Sequence, residues 1–359
     1  MNIIALASEA SSLTGGNIYD SFLYRTILNS SSHKIEFCQP KLYPSGFNFS
    51  KLVCPFLELN LLKKIRTKDV CFFNSTAAYR DLLLIISLKV FYSKIIVYVI
   101  HHHYQYEMMK GTKREVFKFF ELSFLKLATY IIIPSPYVLG KTKELLPKSK
   151  INYIETAFKE NICRNVGNNI NNGELLYIGT IEYRKGLHLL LDSLSLLKDE
   201  SINFRLNIVG AIVDVNYYNQ LLERVALYGL ENYVVFHGRV SSEILQQFLL
   251  TSELFVFPSL LEGYGMVIME AMSFGIPVIA FNNSAMPFTI KDGYNGFLAK
   301  NENVEDFKIL IHRVISNPIL RNKLSNGAIK TFEKSRKESD FIRDVQNIII
   351  SQISTTELI

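Results

Sequence analysis

Residues 253–281, "ELFVFPSLLEGYGMVIMEAMSFGIPVIAF", set out one complete structural period. "ELFVFPS" is short, apolar and aromatic-rich, which suits a strand covered on both faces. "GYG" supplies two glycines for a sharp turn. "MVIMEAMSFG" has helical spacing and closes on a glycine, and "IPVIAF" reads as the next strand. A strand, a tight turn, a helix and a second strand form a βαβ unit, whose two strands run parallel.

The same plan extends in both directions. "ELLYIGT" (174–180), "NFRLNIVG" (203–210) and "NYVVFHG" (232–238) are further strand candidates, separated by "GLHLLLDSLSLLKDE", "NYYNQLLERVALYG" and "SSEILQQFLL" as helices. Upstream, "NIIALAS", "VCFFN" (70–74), "KIIVYVI" (94–100) and "TYIIIPS" (129–135) alternate with helical stretches such as "NIYDSFLYRTIL". The Asn- and Gly-rich segment 161–173 separates the two patterns. The expected architecture is α/β, with two doubly wound, Rossmann-like parallel-sheet domains facing a central cleft. Residues 1–160 form the first, 161–173 a linker, 174–330 the second, and 331–359 a terminal helix returning to the first domain.

Bulk composition agrees. The 359 residues are 48% hydrophobic and 20% charged, a globular profile long enough for two cores. No basic leader precedes a long apolar run, and "LLLIISL" between Asp81 and Lys89 is too short to span a bilayer. The expected location is therefore cytoplasmic. The four cysteines (Cys38, Cys54, Cys71, Cys163) lack metal or disulfide spacing and read as isolated thiols. Residues 1–160 carry 21 Lys and Arg against 12 Asp and Glu, whereas 161–359 carry 18 against 21. A basic first half suggests an anionic partner. The cations are dispersed and no nucleic-acid module is present, so an anionic lipid surface or a phosphate-bearing substrate is expected rather than nucleic acid.

Loops after strands carry the chemistry. In "YIGTIEYRKGLHLLL", Arg184 and Lys185 precede a helix start, where cations and free amides together favour phosphate. In "PSLLEGYGMVIMEAM", Gly263 and Gly265 let the backbone approach a ligand. First-turn amides at Met266 and Val267 could cradle a second phosphate face, while Glu262 and Glu270 can each accept hydrogen bonds from sugar hydroxyls. Taken singly, each feature has a plainer reading: a solvated basic loop, a helix cap, a surface carboxylate.

Taken together and in this order, these segments resemble the C-terminal half of family 4 glycosyltransferases, over roughly residues 170–300. The matching stretches include "RLNIVG", "YGLENYVVFHGRV" and "DGYNGFLAKNENVEDF". The resemblance implies a GT-B fold and retaining, metal-independent transfer from a nucleotide-sugar, with no cofactor. It implies that Glu262 contacts the donor sugar, that Glu270 contacts the ribose, and that Lys185 contacts the leaving diphosphate. Tyr264 falls within the same donor loop, and Gly238, Arg239 and Val240 border the nucleobase pocket. Many members carry Arg where Thr180 stands, and Arg184 is expected to supply that charge.

The first half matches more loosely. "SLTGGNIYDSFL" resembles the family's glycine-rich loop, placing Gly15 and Gly16 against donor phosphates and acceptor. "IIVYVIHHHYQYE" resembles the segment bearing the active-site histidine, with His101 the first candidate and His102 the second. Ser135 resembles a strand-to-helix serine on the acceptor side. The implied acceptor is a saccharide, lipid-linked if "KREVFKFFELSFLKLATY" (113–130) lies on an anionic membrane. The alternatives are a non-catalytic nucleotide-sugar-binding subunit and a GT-B epimerase or phosphorylase.

Overall fold

The computed structural model describes residues 2–6, 15–30, 34–38, 65, 67–159, 173–198, 200 and 202–356. The chain divides into two compact units, Met1–Ala157 with Arg336–Ile359, and Phe158–Ser335.

The first unit is built on a six-stranded parallel sheet: β1 (Asn2–Ala5), β2 (Lys34–Phe37), β3 (Val70–Asn74), β4 (Ile96–Ile100), β5 (Tyr130–Ile133) and β6 (Ile151–Tyr153). Its strand order is β2-β1-β3-β4-β5-β6. Helices α1 (Gly15–Ser30), α2 (Ala78–Phe91), α3 (Gly111–Leu127) and α4 (Pro136–Leu145) connect them. Side-chain alternation splits each strand between two cores. Cys71, Phe73, Val97, Val99, Ile131 and Ile133 join one core with residues of α2 and α3. Val70, Phe72, Ile96, Tyr98, Ile100 and Ile132 join the other, with Tyr19, Leu23, Tyr24 and Ile27 of α1.

The second unit holds a six-stranded parallel sheet of order β12-β11-β10-β7-β8-β9. Its strands are β7 (Glu174–Ile178), β8 (Arg205–Val209), β9 (Val234–Gly238), β10 (Leu254–Phe257), β11 (Val278–Phe281) and β12 (Gly296–Ala299). The helices are α5 (Leu187–Lys198), α6 (Val215–Leu227), α7 (Ser242–Thr251), α8 (Met266–Ser273), α9 (Met286–Thr289), α10 (Val304–Ile315) and α11 (Pro318–Glu333). In both sheets the chain reverses its direction of winding, after β1–β2 in the first and after β9 in the second.

The structure adds β2, β6 and β12 to the strands expected from sequence. All three are edge strands of three or four residues. It also corrects the terminal segment: 331–359 is not one helix. α11 runs on to Glu333 and packs on α8, so the second unit ends at Ser335. A new helix, α12 (Glu338–Asp344), then continues through a π-helical stretch to Thr356. Phe341, Val345, Ile349 and Ile353 of this run bury against the first unit's sheet beside α1. Phe158 packs on Phe332 and Tyr264, so the second unit begins ahead of the expected linker, of which 161–172 lie outside the described residues. Cys54 and Cys163 also lie outside them, while Cys71 is buried in β3. No helix among the described residues is long and apolar enough to cross a membrane.

Candidate active site

Open α/β sheets bind ligands beyond the carboxyl ends of their strands, at the point where winding reverses. In the second unit that point lies between β7 and β10, which pair in parallel. The loops that follow these two strands carry Arg184, Lys185 and Glu262.

Tyr183–Lys185 form a 3₁₀ turn that ends on Gly186 in the left-handed region, φ 68°. A Cβ at Gly186 would stand 2.0 Å from the Pro258 carbonyl, so the two loops touch through a position only glycine fills. The Leu260 amide donates to the Arg184 carbonyl at 2.9 Å, and Arg184 Nη1 donates to the Leu261 carbonyl at 2.7 Å. Local sequence thus supplies the turn, and its fit against β10 supplies the site.

Glu262 Oε1 gathers three donors: Lys185 Nζ at 2.6 Å, Ser259 Oγ at 2.8 Å and Arg184 Nη1 at 3.3 Å. Among the described residues no group bonds Oε2. One oxygen is anchored, and the other is left for a ligand. Arg184 Nη2 also reaches Glu182 Oε1 at 2.9 Å, which in turn accepts from Thr180 Oγ1 at 2.9 Å. The Glu262 amide donates to Ser284 Oγ at 3.0 Å, and Asn283 Nδ2 ties down the Ser259 carbonyl at 3.0 Å. Glu262 is 8% exposed. Burial pushes its carboxyl up, but the Lys185 and Arg184 cations prevail and hold it at about 2. Burial also pulls the Lys185 ammonium below its ordinary value, against the attraction of Glu262. Two cations and two carboxylates therefore stand nearly balanced, and an incoming anion would compete with Glu262 for Lys185.

Glu270 lies on α8, whose N-cap is Gly265 at φ 82° with no side chain capping the first turn. Ile268, Met269, Ala271 and Met272 are buried, leaving Met266, Val267 and Glu270 as the open face. At 100° per residue the side chains of these three project within one sector of the helix. Burial raises the Glu270 carboxyl, and its carboxylate has no partner among the described residues. Gly263 and Tyr264 are partly buried between the two glutamates. Gly238, with Arg239 exposed and Val240 half-buried behind it, closes β9, two strands from β7. That separation is about 10 Å at ordinary strand spacing.

In the first unit the winding reverses between β1 and β3. Gly15 and Gly16 open α1 there. His101 is fully buried, with Nδ1 on Ser75 Oγ at 2.8 Å and its ring edge-on to Tyr104. Its Nε2 is buried without a partner among the described residues, and burial, then the charges of His103 and His102, lowers the imidazole well below its ordinary value. His102 lies on the opposite side of the strand line and meets Asp20 at 2.8 Å. Ser135 is fully buried and caps α4, accepting from the Val138 amide. Its hydroxyl is thus engaged with backbone. Sequence reasoning missed Asp20, Asn74, Glu182, Ser259 and Ser284. Of these only Ser259, three residues before Glu262, carried a positional hint.

Residues 158–331 match the family model "Glycosyl transferases group 1". An uncharacterized glycosyltransferase of Methanocaldococcus jannaschii, MJ1178, is 33% identical over 215 residues, covering 59% of this chain and 57% of that protein. The chain thus spans little more than half the length of this relative. A 41.2 kDa protein from the cps region of Klebsiella pneumoniae is 25% identical over 96% of this chain and 95% of its own. Among solved structures, Anabaena HepE in complex with UDP and glucose superposes with a TM-score of 0.74 at 17% identity, over 98% of this chain and 100% of that one. Residues 158–331 thus match the glycosyl transferases group 1 model, within a chain that has the GT-B fold.

Proposed function

We propose that this protein transfers a sugar from a UDP- or GDP-linked donor to a hydroxyl of a saccharide acceptor, with retention of anomeric configuration. The observation that carries the reading is the Arg184–Lys185–Glu262 cluster at the winding reversal, with Glu262 Oε2 and the Glu270 carboxylate unengaged among the described residues. Departure of a nucleoside diphosphate builds negative charge on phosphate oxygens. Arg184, Lys185 and the uncapped amides of α8 are preorganised to meet it, which removes the need for a metal ion. Glu262 and Glu270 grip hydroxyls of the donor sugar and the ribose. No nucleophile is placed by these residues, so the leaving phosphate oxygen receives the acceptor proton on the same face. The UDP held by HepE supports a uridine donor as the first to try.

The acceptor is a lipid-linked saccharide of surface-polysaccharide assembly, in keeping with the cps-region relative. Four phenylalanines of α3 were candidates for meeting a membrane. Phe124 is buried and Phe117 and Phe120 pack on the core, whereas Phe119 is 66% exposed beside exposed Val116. With Lys113 exposed near Val116 and Lys126 exposed near Phe119, this face suits peripheral contact with anionic lipid on the cytoplasmic side. Sedimentation with anionic but not neutral liposomes, reversed by salt, would support it.

The test is a panel of UDP-, GDP- and ADP-sugars. The true donor should raise the melting temperature by mass action and be slowly hydrolysed in the presence of chelator. The product's anomeric configuration then reads the stereochemistry. Binding without hydrolysis or transfer would favour a non-catalytic subunit, and release of a free sugar isomer an epimerase. No stabilisation by any sugar nucleotide would overturn the proposal.

A further inference from the structure

The first unit's winding reversal holds a polar cluster that the transfer reading does not use. Asp20 lies one turn into α1 after Gly16, Asn74 ends β3, and His102 follows β4. Asp20 is 6% exposed, and both its carboxylate oxygens are taken. Oδ1 meets His102 Nε2 at 2.8 Å, and Oδ2 accepts from Asn74 Nδ2 at 2.8 Å. The Asn74 amide cannot turn round freely, because its Oδ1 already accepts from the amide and hydroxyl of Thr76 at 3.0 and 2.8 Å. Tyr19 stands edge-on to the His102 ring, with centroids 5.6 Å apart at 87°. Gly16 borders the ring so closely that a Cβ there would lie 3.4 Å from His102 Cδ2.

A carboxylate only accepts, so this arrangement keeps a proton on His102 Nε2. Nδ1 is then the nitrogen left over, and no group among the described residues bonds it. His101 cannot take the same part. Its Nδ1 is held by Ser75, and its Nε2 is sealed from solvent.

We propose that Asp20 is a positioning residue: it locks the His102 ring with its proton on Nε2, presenting Nδ1 beside the glycine-rich turn to a sugar hydroxyl. The sugar as ligand rests on the transfer reading above. The lock itself does not. Neutral Nδ1 accepts the hydroxyl's hydrogen bond and orients it, with no proton transferred.

The test pairs spectroscopy with kinetics on the full chain. Long-range ¹H–¹⁵N spectra of histidine-labelled protein, at a pH where the imidazole is neutral, should show His102 with its proton on Nε2, the signal being assigned by its loss in His102→Gln. In Asp20→Asn the new amide must turn its oxygen to Asn74 and its NH₂ to His102, so the proton should move to Nδ1. Transfer should fall on the order of 10²-fold in kcat with donor KM unchanged, as expected for misplacement of a substrate-orienting group. Asp20→Asn combined with His102→Ala should be no slower than His102→Ala alone. A wild-type proton on Nδ1, an unchanged tautomer in Asp20→Asn, or losses that multiply in the double variant would overturn the proposal. Should wild type transfer no sugar at all, the functional reading fails while the spectra still decide the lock.

Discussion

Replacing Glu262 by Gln keeps the shape and the Oε1 acceptor but removes the charge that balances Lys185 and Arg184. The wild-type carboxyl is held at about 2 against an ordinary 4.5. At about 1.4 kcal/mol per unit, that depression corresponds to roughly 3 kcal/mol of folding stability at neutral pH. Because the folded value lies below the unfolded one, the contribution is complete above about pH 4.5 and disappears as pH falls towards 2. Urea unfolding of wild type and Glu262→Gln, followed from neutral pH into acid, should therefore show a gap of about 3 kcal/mol that narrows steadily below about pH 4.5. Ligand binding should move the other way. Pyrophosphate no longer competes with the Glu262 charge for Lys185, so the variant should bind it at least as tightly while sugar transfer collapses. Equal stability at neutral pH, or a gap that stays constant into acid, would refute the assigned electrostatics. Weaker pyrophosphate binding would refute the assignment of Lys185 and Arg184 to the phosphate.

Three further outcomes are expected. Lys185→Ala and Arg184→Ala should each lower kcat by roughly 10²–10³-fold in an assay of nucleoside diphosphate release, as for loss of one transition-state donor; a normal rate in Arg184→Ala would mean that this residue does not compensate for Thr180. Glu270→Gln should raise the donor KM while making the protein slightly more stable at neutral pH, because burial opposes the charge that the carboxylate carries there; a loss of stability would contradict its unpaired state. Gly265→Ala forces a side chain into φ 82° with Met286 Cε at 2.9 Å, and should cost at least about 1–2 kcal/mol in thermal unfolding while weakening donor binding.

Much of the second unit was legible from sequence because its strands are central, apolar on both faces and separated by amphipathic helices. Of the strands that escaped, β2 (KIEF) and β6 (INY) mix polar with apolar residues, and β12 (GFLA) is apolar but only four residues long, too short to show a period. The end of the second unit was placed too early because α11 and the run from α12 are both amphipathic, and periodicity alone does not tell which sheet each helix covers. Among site residues, the loop bearing Glu262 and the helix bearing Glu270 were readable from their glycines and spacing. Ser259 and Ser284 were not, since serines in loops are common and only the fold aims them at Glu262 and its amide.

The histidine run shows where sequence stops. Three consecutive imidazoles after β4 are chemically equivalent on paper. Strand alternation sends His101 into the core shared with α2 and α3, and sends His102 towards α1, where Asp20 waits 82 residues away in sequence. Likewise, 77 residues separate Lys185 from Glu262, and they meet because β7 and β10 are neighbours. By itself the sequence determined the alternation of strand and helix, the glycine turns and the supply of charged groups, all of which are local properties of the chain. Only the tertiary structure decided which of those groups share a proton or an ion pair, because that depends on strand order, and strand order is a property of the assembled sheet.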